Sequence, residues 1–420
     1  MSRPRAVKYR GGAQLWWARP GLEVREGRLS VAGRDAERLA RDHGTPLYAY
    51  DLIRVEESAR TLQAALARTG LPYRVRLALK AHRAPETLAF VRALGPPGTP
   101  ESVGIDACSP REVLHALDHG WLPEEISYTG TNVSERDLDV LLAHPIHINV
   151  DLLSQLSRLG RRSPGRSVGI RINPRRGAGW AGGSPYSGDR PGKFGIYEER
   201  LDDAMALARR YDLAIDTVHF HVGDGFLDDG LEAFDAAVAT AAGMASRLRD
   251  ADFPVVEVNA GGGLGVPQRP QDRPLDLDAY AGILGRHLGP LGVTISCEPG
   301  DFLTKECGIM LAEVVTVENR SGSTFVGLDA GFTVMPEHFI YGSPVELVLC
   351  RSPDAPPAEV ITVSGNINEG NDLFAEEVSM PALEEGDVVA MLGVGSYNQV
   401  MAMEHCLRPL PGAVFFTDRL

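Results

Sequence analysis

The segment Tyr73-Arg74-Val75-Arg76-Leu77-Ala78-Leu79-Lys80 shows the pattern that decides the fold, a short apolar run that leads into a helical stretch. This pattern repeats as far as Glu298. Eight such runs occur, at Arg74–Leu79, Ile105–Ala107, Ile126–Tyr128, His147–Val150, Val168–Ile172, Thr217–Val222, Val255–Asn259 and Thr294–Cys297. Eight strand–helix units predict an α/β fold with a (β/α)8, TIM-like barrel, and a doubly wound open sheet is the alternative.

The chain after about residue 305 follows a different pattern. Helical periodicity fades, and short β-like runs appear at Phe325–Leu328, Val345–Leu349, Val360–Val363, Val388–Leu392 and Val414–Phe416. We therefore predict an N-terminal segment (1–45), a barrel (46–303) and a C-terminal all-β domain (304–420). Leu29–Val31 is expected to pair with the β domain. The Gly-, Ser- and Pro-rich stretch Arg175–Gly192 predicts a long loop on the catalytic face of the barrel.

Charge and composition argue against several classes of protein. The net charge of −14 argues against nucleic-acid binding. We find neither an apolar run long enough to span a bilayer nor a secretory signal. The five cysteines are odd in number and form no C-x-x-C pair. This argues against a disulfide framework and a structural zinc site. We predict a cytoplasmic protein that binds no metal, membrane or nucleic acid.

Lys80 directly follows the first barrel run, and lysine is rare in this chain. Only Lys8, Lys80, Lys193 and Lys305 occur among 42 basic residues. Active sites of such barrels lie at the carboxyl ends of the strands. A partly desolvated lysine at this position can act as a nucleophilic amine and form a Schiff base. Taken alone, this segment fits a surface lysine at a strand end better.

Two further strand ends carry unusual residues. The run Gly261-Gly262-Gly263 allows backbone N–H groups to approach a phosphate closely, although a flexible turn would look the same. Glu298 places a carboxylate where burial is costly without a cation. That cation is either a nearby arginine or a protonated pyridine nitrogen, which would make the ring an electron sink.

His219 and His221 alternate along one run, so their side chains are expected to share one face of a strand. A pair of metal ligands is one interpretation. An imidazole stacked over a planar cofactor suits the neighbouring motifs better. Either residue can also be a satisfied core histidine.

In combination, these motifs resemble the fold-type III decarboxylases that depend on pyridoxal 5'-phosphate (PLP), the diaminopimelate, ornithine and arginine decarboxylase family. The resemblance runs from about Gly44 to Pro409 in the family's order. Besides the His221 strand and the glycine run, its motifs are Gly44-Thr45-Pro46-Leu47-Tyr48, Ala78-Leu79-Lys80-Ala81, Asp106-Ala107-Cys108-Ser109-Pro110-Arg111-Glu112, Arg171-Ile172-Asn173-Pro174, Gly192-Lys193-Phe194-Gly195-Ile196, Glu298-Pro299-Gly300 and Gly395-Ser396-Tyr397.

The resemblance implies a role for each matching residue. Lys80 would hold PLP as an imine, His221 would stack on the ring, and Glu298 would pair with the pyridinium nitrogen. Gly261, Gly262 and Gly263 would bind the phosphate together with Tyr397, and Asp106 joins the cofactor-binding set. Family members usually form homodimers in which the β domain of one chain completes the barrel mouth of the other.

The chain also departs from the family pattern. Asp301 stands where the family has an arginine that contacts the phosphate, and Asp224 replaces a serine near it. Two acids there would repel a phosphate unless they turn away from it or cations such as Arg190 or Lys305 compensate. Asn368 replaces the cysteine thought to protonate Cα, which leaves Glu369 or a water as the acid.

The substrate end differs as well. Met335 replaces the arginine with which diaminopimelate decarboxylases hold the distal carboxylate. Diaminopimelate is therefore an unexpected substrate, whereas a cationic distal group or an uncharged aminoacyl group on a carrier protein would fit. The candidate catalytic residues are Lys80, Asn368 and Glu369. The candidate substrate-binding residues are Asp301, Met335, Tyr341, Glu369 and Asp372.

Three hypotheses follow. The first is a PLP-dependent decarboxylase of a non-standard amino acid or a carrier-protein-linked aminoacyl group, active in specialised metabolism. The second is a decarboxylating transaminase or a racemase or epimerase, because the family's acid is missing. The third is a non-catalytic regulator derived from a decarboxylase.

Overall fold

The structure, a computed structural model, describes residues 15–179 and 191–420. The chain folds into two units. The β unit contains the chain up to Val55, Pro267–Asp272 and Thr304–Leu420, and the barrel unit contains Glu56–Val266 and Arg273–Leu303. The division of the chain into residues 1–45, 46–303 and 304–420 stays a prediction.

The N-terminal part of the β unit is a small layer of strands and one helix. Its elements are β1 (Leu22–Arg25), β2 (Arg28–Val31), β3 (Arg34–Asp35), α1 (Ala36–His43) and β4 (Leu47–Asp51), followed by α2 (Leu52–Ala67). Strands β1, β2 and β3 form an antiparallel sheet of their own, so Leu29–Val31 pairs with β1 and β3. Leu29 also donates its N–H to the carbonyl oxygen of Cys350 at 2.8 Å.

Eight parallel strands close into a barrel, which confirms the predicted fold class. They are β5 (Tyr73–Ala78), β6 (Val103–Ala107), β7 (Ile126–Gly130), β8 (His147–Val150), β9 (Ser167–Arg171), β11 (Ala214–His219), β13 (Glu257–Asn259) and β14 (Thr294–Cys297). Each pairs with the next strand of this series, and β14 returns to pair with β5. The ends of the first and last strands therefore meet at the mouth.

A helix follows each barrel strand along the chain. These helices are α3 (Pro85–Arg92), α4 (Pro110–Asp118), α5 (Glu135–Leu142), α6 (Leu153–Arg162), α7 (Leu201–Arg210), α8 (Leu231–Asp250), α9 (Leu277–Leu288) and α10 (Asp301–Thr304). Several start directly after a strand end. Ser109, for example, caps α4 by accepting from the N–H of Glu112, whose carboxylate accepts from the N–H of Cys108. This cap fixes the residues that follow β6.

The predicted loop Arg175–Gly192 lies partly outside the described residues, because residues 180–190 are not among them. At its start, β10 (Ala178–Gly179) pairs in parallel with β12 (Gly223–Asp224). His221 lies between the end of β11 at His219 and the start of β12.

The C-terminal part of the β unit is mostly strand, as predicted. Its elements are β15 (Gly308–Arg320), β16 (Ser323–Leu328), α11 (Pro336–Tyr341), β17 (Leu347–Leu349), β18 (Glu359–Ser364), β19 (Leu373–Met380), β20 (Val388–Leu392) and β21 (Gly412–Phe416). The sheet order is β17-β20-β15-β16-β18-β19, and β4 pairs with both β15 and β21. Its core packs Leu47, Ile309, Leu311, Val348 and Ala390 with Trp17 and Leu22.

Candidate active site

Three predicted residues meet at the mouth because their strands are neighbours. Lys80 lies two residues after β5, Asp106 lies near the end of β6, and Glu298 directly follows β14. The backbone ties the three ends together. The N–H of Leu79 donates to the carbonyl oxygen of Asp106 at 3.0 Å, and the N–H of Ala78 donates to that of Pro299 at 3.4 Å.

Glu298 is a buried carboxylate whose two oxygens are both hydrogen-bonded. His219 Nε2 lies 3.0 Å from Oε2, and Asn259 Nδ2 donates to Oε1 at 2.5 Å. Burial alone would raise the pKa of Glu298. The charge and hydrogen bond of His219 outweigh burial and, with Arg76 and Asn259, hold the pKa of Glu298 well below its usual range. Glu298 is therefore an anion at neutral pH.

Asp106 is the opposite case at the same mouth. Burial, and next the negative charge of Glu298, raise the pKa of Asp106 well above its usual range, while the Lys80 ammonium pulls it down. Within residues 15–179 and 191–420, Oδ1 of Asp106 is buried without a hydrogen-bond partner. The mouth thus holds one ionised carboxylate and one carboxyl that favours its proton.

His221 is partly buried and lies beside the glycine run. Its Nδ1 accepts from the N–H of Gly262 at 3.3 Å. Burial, together with the positive charges of Lys80 and Arg171, lowers the pKa of His221 well below its usual value. His221 is therefore a neutral ring that is suited to stacking. The two histidines of this run differ in function, since His219 binds Glu298 instead.

The glycine run packs against the barrel backbone too closely for any side chain. A Cβ atom would lie 2.3 Å from Phe220 O at Gly261, 2.4 Å from Glu298 O at Gly262 and 2.2 Å from Gly223 O at Gly263. Gly261 and Gly263 also have φ values of +66° and +92°. Glycine is thus required in this run by close contacts and, at Gly261 and Gly263, by backbone conformation as well.

The amides of the run are not equally available. The N–H of Gly261 donates to Asn259 Oδ1 at 2.9 Å, and that of Gly262 makes the longer bond to His221. In the described part of the chain, no protein acceptor takes the N–H of Gly263. A phosphate would therefore find Gly263, and then Gly262, most accessible.

The loop that carries the candidate acid belongs to the β unit. Asn368 and Glu369 are exposed, and Glu369 Oε1 lies 3.3 Å from His405 Nε2. Asp372 is buried instead, where its carboxylate accepts from the N–H groups of Phe332 and Ile367, both at 2.7 Å. These contacts make Asp372 an anchor of the loop.

The other candidates of the β unit surround α11. Met335 is buried immediately before the helix, and Tyr341 is exposed at its end. The ring of Tyr341 lies 6.5 Å from that of Tyr397, measured between centroids. Tyr397 itself has a left-handed backbone, with φ of +55°.

Lys305 was suggested as a cation for the phosphate. It is fully buried and forms an ion pair with Glu337, which also accepts from Asn398 Nδ2 at 3.2 Å. Arg190, the other suggestion, lies outside the described residues. Of the two aspartates, Asp224 belongs to β12, and Asp301 is buried as the first residue of α10.

Comparison with known proteins decides the family. Residues 52–305 match the pyridoxal-binding domain of the pyridoxal-dependent decarboxylases. The chain is 36% identical to diaminopimelate decarboxylase of Methanothermobacter thermautotrophicus over 409 residues, which cover 95% of this chain and 93% of that protein. This chain belongs to the pyridoxal-dependent decarboxylases. It is a PLP-dependent carboxy-lyase.

Other decarboxylases give the same result. Diaminopimelate decarboxylase of Streptomyces coelicolor is 31% identical across 88% of this chain and 84% of that protein. A crystal structure of diaminopimelate decarboxylase from Helicobacter pylori, complexed with L-lysine, superimposes with a TM-score of 0.81 at 28% identity. That comparison covers 90% of this chain and 93% of that one.

The residues of this decarboxylase fit PLP. Glu298 offers an anion to a protonated ring nitrogen, and Asp106 has a buried oxygen that lacks a partner. The glycine run forms a cradle that a Cβ would fill. Among residues 15–179 and 191–420, no cluster of His, Cys, Asp or Glu is arranged to hold a metal ion. None of the described helices is long and apolar enough to cross a membrane.

Sequence reasoning missed the roles of two residues of this site, His219 and Asn259. Neither the bond between His219 and Glu298 nor the bridging position of Asn259 was predicted. A signal existed, because Asn259 and Glu298 end neighbouring parallel strands. Residues that end adjacent strands lie side by side, which makes a carboxamide beside a buried carboxylate its natural partner.

Proposed function

We propose that this enzyme decarboxylates an amino acid other than diaminopimelate, with PLP held at Lys80. The observation that carries the cofactor site is the buried anion Glu298, fixed by His219 and Asn259 next to Lys80 and Asp106. The departures at Asp301 and Met335 carry the substrate part of the proposal, since neither side chain can bind a distal carboxylate.

The residues of the barrel unit would hold the cofactor. Lys80 would bond to its aldehyde carbon, with Asp106 beside the amine to exchange a proton. Neutral His221 would lie against the ring face. Glu298 would keep the ring nitrogen protonated. When bound, PLP supplies a conjugated ring that accepts the electron pair released as carbon dioxide leaves Cα.

The phosphate would be bound by the backbone of Gly262 and Gly263, with Tyr397 contributing its hydroxyl. In this proposal Tyr397 comes from the partner of a homodimer, as do Glu369 and Met335. The dimer would also bring Tyr341 to the substrate end. The oligomeric state of the protein can be measured directly by sedimentation.

The group that returns a proton to Cα is proposed to be Glu369. Asn368, at the position of the family's thiol, has no acidic proton to give. Glu369 is next to it and is held by His405. Replacement of Glu369 by Gln should lower the rate of carbon dioxide release by about 10²-fold, the usual share of a general acid. It should also raise the share of carbonyl product over amine.

A cytoplasmic location is part of the proposal. All five cysteines are free, and Cys297, Cys307 and Cys350 are buried. Thiols persist in reducing compartments.

The test of the cofactor site is absorbance. Wild-type protein incubated with PLP should be yellow, and Lys80→Ala should abolish that band. Lys193→Ala is the matched control, because Lys193 is an exposed lysine of the same unit. A colourless wild-type protein after incubation with PLP would refute the proposal.

The test of the substrate is a screen of carbon dioxide release. The panel contains basic amino acids, carrier-protein-linked aminoacyl groups and meso-diaminopimelate. Diaminopimelate is the second candidate, because the curated relatives carry that substrate in their names. Faster turnover of diaminopimelate than of every other member would overturn our choice. An amine product indicates decarboxylation alone, whereas an aldehyde product indicates the transaminase alternative. Bound PLP without turnover of any substrate would favour the regulator.

A further inference from the structure

Asn259 is a buried side chain with no accessible surface, and it bridges two parts of the cofactor site. Its Nδ2 donates to Glu298 Oε1 at 2.5 Å, and its Oδ1 accepts from the N–H of Gly261 at 2.9 Å. One carboxamide therefore touches both the carboxylate proposed for the ring nitrogen and the first glycine of the phosphate run.

The backbone repeats this link. The N–H of Glu298 donates to the carbonyl oxygen of Gly261 at 2.8 Å. Asn259 is in turn fixed to the histidine strand, because its own carbonyl oxygen accepts from the N–H of Phe220 at 2.9 Å. Glu298 and Gly261 are thus joined twice, once through the main chain and once through Asn259.

Only a carboxamide satisfies both neighbours. It donates and accepts through one rigid planar group. An aspartate here would keep the acceptor for Gly261 but place a second negative charge against Glu298. An apolar residue would leave the buried N–H of Gly261 without an acceptor, which is costly.

We propose that Asn259 is a positioning residue that sets the spacing between the ring-pairing carboxylate and the phosphate-binding glycines. PLP would then be recognised at its two ends as one rigid unit. This inference rests on the proposed function, since it assumes that PLP occupies the mouth. It adds a residue that discriminates the phosphorylated cofactor from pyridoxal.

The experiment titrates the full-length chain, freed of cofactor, with PLP and with pyridoxal, which lacks the phosphate. Inorganic phosphate serves as a competitor. The variants are Asn259→Ala and Asn259→Asp. The matched controls are Asn149→Ala and Asn149→Asp. Asn149 is another fully buried barrel asparagine, and it donates only to Ser127 and Thr129 among the described contacts.

Asn259→Ala should weaken PLP binding about tenfold or more, the effect of losing a hydrogen bond to a charged group. It should weaken pyridoxal binding less, so the affinity ratio of PLP to pyridoxal falls, and phosphate should compete less well. Asn259→Asp should change the absorbance spectrum of bound PLP, because Glu298 is repelled from its position. The Asn149 variants should leave the ratio and the spectrum unchanged.

An affinity ratio and a spectrum equal to wild type in both Asn259 variants would overturn the inference, even if thermal stability falls. Asn259→Asp keeps the volume of the side chain. If Asn259→Ala does not fold, the absorbance spectrum of PLP bound to Asn259→Asp tests the inference. Wild-type protein that binds no PLP refutes the proposed function, a result distinct from bound PLP that is insensitive to Asn259.

Discussion

Two buried glutamates, one in each unit, are held in nearly the same way. Glu298 has Asn259 and His219 as partners, and Glu337 has Asn398 and Lys305. The difference lies in what surrounds them.

Glu298 lies close enough to a second carboxyl, Asp106, to raise the pKa of Asp106, and the charge of Lys80 acts on Asp106 as well. Lys305 and Glu337 form a buried ion pair inside the β unit. A buried carboxylate therefore does not by itself mark an active site. A neighbouring titratable group whose pKa is displaced in the opposite direction marks it better.

The largest expected effect is on the stability of the β unit. Glu337→Gln removes one negative charge from the buried ammonium of Lys305 and should lower the free energy of unfolding by about 3–5 kcal/mol. Urea unfolding measures this. Glu369→Gln is the control, because its pair with His405 is half-exposed and should be worth less than about 1 kcal/mol. Equal effects of the two variants would contradict the comparison.

The corresponding change in the barrel should act on catalysis instead. Glu298→Gln removes the anion proposed to pair with the ring nitrogen and should lower kcat by about 10²–10³-fold, the range for a lost electrostatic partner. PLP should still bond to Lys80, so the yellow colour should persist. Steady-state kinetics with the best substrate checks this. A variant with unchanged kcat would mean that Glu298 is only structural, like Glu337.

A third glutamate of the β unit gives a pH-dependent effect. Burial raises the pKa of Glu346 to about 7. The unfolded value is near 4.3, so the folded state binds the proton more tightly, and stability falls as pH rises from about 4.3 to about 7. The free energy of unfolding of Glu346→Gln, minus that of wild type, should thus be about 1–3 kcal/mol larger at pH 8 than at pH 5. The same difference at both pH values in urea unfolding would rule this out.

The smallest effect is expected when both charges of the β unit are removed together. Lys305→Met with Glu337→Leu should stay within about 1 kcal/mol of wild type, because apolar replacements of a buried pair avoid its desolvation cost. A comparison of the urea midpoint of the double variant with that of Glu337→Gln gives the coupling between the two charges. A double variant as unstable as the single one would show that the loss is due to packing.

The fold was largely readable from sequence because both units follow simple periodicities. All eight predicted runs overlap barrel strands. The shifts at their ends are one residue for Arg74–Leu79 against Tyr73–Ala78 and reach three for Thr217–Val222 against Ala214–His219. The strands that were not predicted include β4, β15 and β19. The second half of β15 (Gly308–Arg320) is mostly exposed, and β19 (Leu373–Met380) has a left-handed residue, Glu377. Neither shows the apolar alternation that predicts a strand.

The site was readable only in part. Lys80, Asp106 and Glu298 could be expected together, since all three lie at strand ends. Asn259 ends the strand next to β14, which was a signal, but the orientation of its carboxamide follows from packing between two strands and could not be predicted. Asp372 was predicted to bind substrate, yet backbone amides of its own unit take its carboxylate. Composition cannot tell such an anchor from a binding group.

The pairing of β14 with β5 has a consequence for synthesis in the cell. Lys80 leaves the ribosome early, while Glu298 and Asn259 follow only when the last strands emerge. Under the proposed function, a nascent chain that stops short of β14 would offer PLP an amine without the anion for its ring. The complete cofactor site would therefore form only after the last barrel strand has been synthesised.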